Sequence, residues 1–377
     1  MVKKAVVLGG TGPTGPFIVD GLLERGYDVT IIHSGSHEVE FAGPVEHIHT
    51  DVHFAETLQA GLGSRTFDLA VAAYGRLRVT AEVLVGHTER LISIGGIVTA
   101  RPNDPRWGPA GPQFATTEDA PVLDDPERDP FFARVAATER AVLEYHRAGH
   151  YNVTHLRYPP LLYGPRQPGA RDWCIVRRVL DGRRQLIIGD GGLKVFSDGY
   201  VENAAHAVLL AIDQPEASAG RVYNVADEHP FTLRHRIDVI ARVLDHQFEF
   251  VDLPYDLARP YHPFSRGRDH MVRDTSRIVA ELGYHDIVPS ETAIERTVRW
   301  LIEHHPEPGG ELENQLGDPF DYAAEDAIIA AWGEARALML AVPFPDYVVV
   351  HPYRHPTQPN EAWKRPERAY GHPNSTN

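Results

Sequence analysis

The chain is nearly devoid of cysteine: Cys174 stands alone among 377 residues. No intramolecular disulfide can form, and a reducing compartment, the cytoplasm, is the expected setting. Positive charge is also scarce, with Lys and Arg numbering 37 against 52 Asp and Glu, for a formal net charge of −15. That balance repels polyphosphate and offers no broad basic face for counterion release, so nucleic acid is excluded as an expected partner. Long apolar runs are missing as well. The run before Gly9 holds only about five apolar residues, too few for a signal peptide or a spanning helix, and no membrane association is expected. What remains is ordinary globular material, 42% hydrophobic and 24% charged, long enough for one large α/β domain with a lobe or for two domains.

Order along the chain is clearest at the start. Ala5 to Leu8 is a short run rich in β-branched residues, followed by a glycine-rich turn and then by Phe17, Ile18, Leu22 and Leu23 at helical spacing. The helix stops at Gly26, and Val29 to Ile32 forms a second buried strand, completing a β-α-β unit that implies a right-handed crossover and a parallel sheet. Further strand-like runs stand at Val45 to His49, Leu69 to Ala73, Leu91 to Ile94, Val153 to Leu156 and Val222 to Val225. They alternate with helix-like runs such as Ala133 to Tyr145, the pattern of a Rossmann-type, doubly wound sheet.

Gly10-Thr11-Gly12-Pro13-Thr14-Gly15 fits G-x-G-x-x-G between that first strand and helix. Gly10 allows the turn, Gly12 lets the backbone approach a pyrophosphate, and Gly15 permits close helix packing, while the helix N-terminus favours the phosphates. A dinucleotide is therefore the expected cofactor. At the end of the second strand, where a carboxylate would hold the ribose hydroxyls, the chain instead has His33-Ser34-Gly35-Ser36-His37. The missing carboxylate tilts the expectation slightly toward NADP, with NAD left open.

These residues, with Asp51-Val52, the stretch Arg157-Tyr158-Pro159-Pro160-Leu161-Leu162-Tyr163-Gly164-Pro165-Arg166 and Tyr200-Val201-Glu202-Asn203, resemble the extended short-chain dehydrogenases/reductases, specifically the NAD(P)-dependent epimerase/dehydratase family. The resemblance runs from about residue 3 to 305. It implies that Asp51 and Val52 contact the adenine, that the turn at Ala73 lies along the cofactor ribose, and that Tyr158, Pro159 and Pro160 pass the nicotinamide. It further implies that Arg166, Arg171, Trp173 and Arg177 face a substrate cleft. Three segments follow: a cofactor domain over 1–165, to which the chain returns around 195–230, a substrate lobe over 166–305, and a helix with an extended tail over 306–377. The tail is expected to dock on its own or a neighbouring subunit, and a homodimer or higher homo-oligomer is expected.

The resemblance breaks at its chemistry. Family members carry Tyr-x-x-x-Lys on the helix after the fourth strand and a hydroxyl at that strand's end, which together relay a proton and position the carbonyl. Counting back from Glu139 puts Phe131 at the Tyr position and Val135 at the Lys position, and Gly95 falls where the hydroxyl belongs. Tyr74, Ser93, Thr99 and Tyr158 are the candidates to replace them. The expected function is accordingly an atypical oxidoreductase, epimerase or dehydratase acting on a hydroxyl or carbonyl carbon of a small polar metabolite. A non-redox lyase, isomerase or cyclase in the same cleft, or a protein that senses the cofactor without catalysis, remains an alternative. The 21 histidines show no H-E-x-x-H and no two-cysteine partner, so no metal is expected.

Overall fold

The computed structural model describes residues 2–73, 75–99, 115–167, 171–261, 269–343, 349–350, 358–359 and 369–370. Met1–Phe320 forms one compact unit and Asp321–Asn377 a second. The first half of the larger unit runs β1 (Lys4–Leu8), α1 (Gly15–Glu24), β2 (Asp28–His33), β3 (Glu46–His49), α2 (Ala55–Leu62), β4 (Leu69–Ala72), α3 (Leu77–Val83), β5 (Arg90–Gly95), α4 (Pro130–Arg147) and β6 (Asn152–Arg157). It continues through β7 (Leu162–Tyr163), α5 (Asp172–Leu180), β8 (Gln185–Gly189), β9 (Val195–Phe196), β10 (Gly199–Tyr200), α6 (Val201–Asp213), β11 (Val222–Asn224), β12 (Phe231–Thr232), α7 (Leu233–Val243), β13 (Glu249–Leu253), α8 (Tyr255–Ala258), α9 (Ser276–Leu282), α10 (Ser290–Glu303) and α11 (Glu311–Leu316). In the smaller unit stands α12 (Tyr322–Leu340), and there Val349–Val350 pairs antiparallel with Ala369–Tyr370.

Seven strands make one parallel sheet in the order β11-β6-β5-β4-β1-β2-β3. All seven runs read as strands from the sequence are in it, which makes the fold the expected doubly wound α/β type. The reason is visible in the residues: Ala5, Val6, Val7 and Leu8 are all fully buried, as strands covered by helices on both faces must be. The edge strand β3, with Glu46, His47 and His49 exposed along it, is the polar exception. A second core, built from Trp173, Ile175, Val176, Ile237, Ile240, Ile294 and Val298 of α5, α7 and α10, carries the lobe. Residues 306–320 belong to this larger unit: Leu316 joins the lobe core, and Asp318 is paired with Arg178 at 2.6 Å. No helix among the described residues is long and apolar enough to cross a membrane.

Candidate functional site

The chain moves outward from β1 to β2 and β3, then crosses back to β4, so the sheet reverses direction between β1 and β4. Ligands of such sheets bind in the crevice at that reversal, beyond the carboxyl ends of the strands. The glycine turn sits there, between β1 and α1. Its three glycines differ in what requires them. A Cβ on Gly15 would lie 2.2 Å from the Gly10 carbonyl oxygen, and one on Gly10 would lie 2.8 Å from Ile31 Cγ2, so both are fixed by packing within the chain. A Cβ on Gly12 would meet nothing nearer than 3.7 Å. The protein itself has no need of glycine at position 12, whereas a pyrophosphate laid on the backbone does, and the donor set therefore fits a dinucleotide. Thr14, the residue capping α1, makes no side-chain bond to the first turn.

Thr11, Gly12 and Pro13 open on a chamber of about 400 Å³, whose other walls include His37, Glu38, Val39, Arg166, Trp300 and Leu316. Arg166, expected at the substrate, thus lines the same chamber as the glycine loop. It is held there with a left-handed backbone, φ 63°. His33 closes β2 almost fully buried, and its Nδ1 accepts the Gly35 amide at 3.3 Å, while Ser34 stands exposed and bonds Ser36 at 2.9 Å. Asp51 is exposed and accepts from the His53 amide at 2.8 Å, which holds its carboxyl below the usual range; Val52 is buried. Ala73 bonds back to Leu8 at 3.1 Å, beside the glycine turn.

Two expected substrate residues are taken up elsewhere. Trp173 is 2% exposed in the lobe core, and its indole N–H donates to Glu313 at 3.0 Å. Arg177 donates to the same carboxylate at 2.5 Å and to Asp181 at 2.7 Å. Their partner Glu313 lies in α11, in a stretch the sequence reading had separated from the lobe, which is why the pairing escaped it. Arg171 caps α5 and is half-buried.

At the end of β5 the departure from the family has a physical cause. Gly95 has no side chain because a Cβ there would collide with the His155 imidazole of β6, at 2.6 Å from Cε1. Val135 packs beside the same strand end, at 4.0 Å from where a Cβ on Gly96 would lie, and Phe131, one helical turn earlier, is 60% exposed. Helix α4 packs along β5, and its residues Phe131 and Val135 bring no phenol and no amine to that strand end.

The replacement candidates fare unequally. Tyr74 lies outside the described residues. Ser93 is fully buried and hydrogen-bonded to His155 Nδ1 at 2.8 Å. Tyr158 is buried in the main core; its hydroxyl donates to the Ala204 carbonyl at 3.1 Å, and burial pushes the phenol up. Pro159 is buried beneath Gly199, where an added Cβ would lie 2.8 Å from its Cγ, and Pro160 is exposed. Thr99 is buried, and its hydroxyl accepts from Arg273 at 2.9 Å. The Arg273 amide in turn donates to Ser197 at 2.8 Å, which ties the loop after β5 to the lobe.

Sequence reasoning missed a buried polar chain behind the strand ends. Arg157 holds Glu139 through two bonds of 2.8 and 2.7 Å and donates to the Glu118 carbonyl at 2.9 Å. His155 Nε2 stands 3.4 Å from Glu139. Burial pushes the Glu118 carboxyl up and holds His155 down at about 4. The only signal was the pair of charges flanking apolar runs, Glu139 and Arg157, which are rarely buried unless matched.

Residues 75–226 match the model of the NAD dependent epimerase/dehydratase family. An uncharacterized protein of Sinorhizobium fredii is 26% identical over 44% of this chain and 52% of its own, so the chain spans about half the length of that curated relative. The UDP-N-acetyl-alpha-D-glucosaminuronate decarboxylase of Bacillus cytotoxicus is 21% identical over 80% of this chain and 99% of its own. The solved Thermus thermophilus UDP-glucose 4-epimerase, in complex with NAD, shares the fold with a TM-score of 0.61 at 19% identity, over 79% of this chain and 99% of that one. The strand ends of β5 and β6, and the altered motif between them, fall within residues 75–226, the part of the chain that is similar to the NAD dependent epimerase/dehydratase family.

Proposed function

We propose that this chain is an NAD(P)-dependent enzyme of the epimerase/dehydratase kind that exchanges hydride with a hydroxyl or carbonyl carbon of a small polar metabolite, with a proton route other than Tyr-x-x-x-Lys. The observation that carries the reading is Gly12: it is glycine in a place where nothing in the protein demands it, at the mouth of a chamber at the sheet's reversal point. In this reading Gly10 to Gly15 and the N-terminus of α1 hold the pyrophosphate, with the Arg166 guanidinium available as a counter-charge. His33 and Ser34 close the adenosine ribose end, Asp51 and Val52 flank the adenine, and Ala73, Pro159 and Pro160 line the path to the nicotinamide. The bound dinucleotide supplies the hydride acceptor or donor. UDP-sugars are named for two of the relatives, and a sugar nucleotide is the first substrate class to test.

For the proton, Thr99 is the first residue to test. Its oxygen already accepts from the Arg273 guanidinium, which leaves its own proton to give and stabilises negative charge on that oxygen. Ser93 and Tyr158 are less suited, since both hydroxyls are committed inside the core.

A second reading has its own support in Phe131, Val135 and Gly95: a protein that holds the dinucleotide without turning it over. A fluorescence titration of cofactor-stripped protein with NADPH and NADH, followed by a sugar-nucleotide screen for NAD(P)H turnover, separates the two. Binding with turnover that Thr99→Val abolishes supports the enzyme. Tight binding with no turnover on any substrate favours the second reading, and binding of neither nucleotide overturns both.

A further inference from the structure

His33, His47 and His49 come together because of strand pairing rather than sequence spacing. In the parallel register of β2 and β3, His33 stands opposite His49 and Ile31 opposite His47. Alternate residues of a strand share a face, so all three imidazoles project from the same side of the sheet edge. The loop between the strands returns Glu38 over them. His33 Nε2 is 3.2 Å from His47 Nδ1, His47 Nδ1 is 3.3 Å from a Glu38 carboxylate oxygen, and His49 Nε2 is 3.2 Å from the other oxygen. One ligand atom from each of the four residues lies within 4.8 Å of all the others.

We propose that His33, Glu38, His47 and His49 form a four-ligand site for a divalent cation of the zinc type. Ligands at zinc's usual bond length, arranged tetrahedrally, stand about 3.3 Å apart; the His33–His47 separation of 3.2 Å is of that size, as are the contacts of His47 and His49 with the two different oxygens of Glu38. The donor set of three imidazoles and one carboxylate is one that zinc takes readily. The other three side chains are 28%, 55% and 56% exposed, so an entry path from solvent is open. The site differs from an ordinary surface ion pair in its ratio: a single carboxylate faces three rings that are packed edge-on at 4.7 to 6.2 Å between centroids. Loading has one structural requirement. With Nε2 on the cation, His33 Nδ1 must carry a proton, so its 3.3 Å contact with the Gly35 amide opens and the turn at Gly35 moves. No zinc signature is present in the sequence because the ligands come from two strands and the loop that joins them.

The test is a titration of metal-stripped, full-length protein with Co²⁺ and then Zn²⁺, without any nucleotide. The expected result is one equivalent of Co²⁺ per chain with the intense visible absorption of tetrahedral cobalt, displaced by Zn²⁺. The double variant His47→Ala/His49→Ala should weaken binding by at least about 100-fold, more than loss of a supporting residue around a metal usually does. His37→Ala, in the same loop but outside the cluster, should bind as the parent does, and Glu38→Gln should weaken binding without disturbing a strand. Both mutated histidines are on the surface, and circular dichroism of the double variant verifies its fold. Equal affinity in parent and double variant, or only the weak spectrum of octahedral cobalt, would overturn the site. So would loss of NADPH affinity in the double variant with no metal bound by either protein, which would make the cluster a 2′-phosphate contact.

Discussion

The imidazole of His155 occupies the space that a side chain at Gly95 would need, at 2.6 Å from the position of an added Cβ. The family's hydroxyl position and a buried histidine on the neighbouring strand therefore exclude each other. Gly95→Ser is expected to destabilise the fold by roughly 1–3 kcal/mol, the usual cost of overpacking a core. Combined with His155→Ala it should cost less than the two single changes together, because the cavity accepts the new hydroxyl. Thermal melts of the four proteins complete this cycle, and additive losses would mean that the two positions do not compete.

Glycines 12 and 15 separate ligand binding from folding. Gly12→Ala should leave the melting temperature of the nucleotide-free protein unchanged, since the added Cβ meets nothing nearer than 3.7 Å, but weaken NAD(P)H binding at least about tenfold. Gly15→Ala should lower the melting temperature without any ligand, because its Cβ strikes a carbonyl oxygen at 2.2 Å. Titration and melting of both variants check the pair; a Gly12→Ala protein that binds normally would remove the main support for the nucleotide reading.

His155 makes stability depend on acidity in a definite sense. Its pKa in the fold is about 4 against an ordinary 6.5, chiefly from burial, so between those values the unfolded chain binds a proton that the folded one refuses. Stability is fully present above 6.5 and is lost as the pH falls toward 4, by ~3 kcal/mol over the interval. Asp198, raised to about 7 mainly by its own burial, works in the opposite sense and loses stability as pH rises through that value. Comparing parent with His155→Gln isolates the histidine: the variant should show a shallower decline of melting temperature between pH 6.5 and 4.5, and identical slopes would contradict the assignment.

The segment after Pro306 is expected to be part of the folding unit. Asp318 and Arg178 are paired with essentially no solvent exposure, and removing one partner of such a pair costs about 3–5 kcal/mol. Asp318→Ala should approach that loss. Ending the chain at Pro306 should cost more, since it also strips Glu313 from Trp173 and Arg177 and removes Leu316 from the lobe core. A chain so shortened that melts with the parent would refute this.

The parallel sheet and the glycine turn were legible in the sequence for a local reason. A strand buried on both faces must be apolar along its whole length, as Ala5 to Leu8 is, and a turn that meets phosphate must be glycine where the backbone is approached. That Phe131 and Val135 stand where the resemblance expects Tyr and Lys could be read too, by counting from Glu139 along one helix. The lobe was less legible: the resemblance places Trp173 and Arg177 at a substrate cleft, and only Glu313, 140 residues beyond Trp173, shows that both are bonded within the lobe.

By itself, then, the sequence determined the layered α/β architecture, the glycine turn between β1 and α1, and the presence of Phe131, Val135 and Gly95 where the resemblance expects Tyr, Lys and a hydroxyl, because each depends on neighbours within a few residues. Tertiary structure decided the rest. Only the packing of β6 against β5 explains why position 95 is glycine, and only the pairing of β2 with β3 gathers His33, His47 and His49 around Glu38. Those relationships depend on strand register and on burial, which no local pattern of residues encodes.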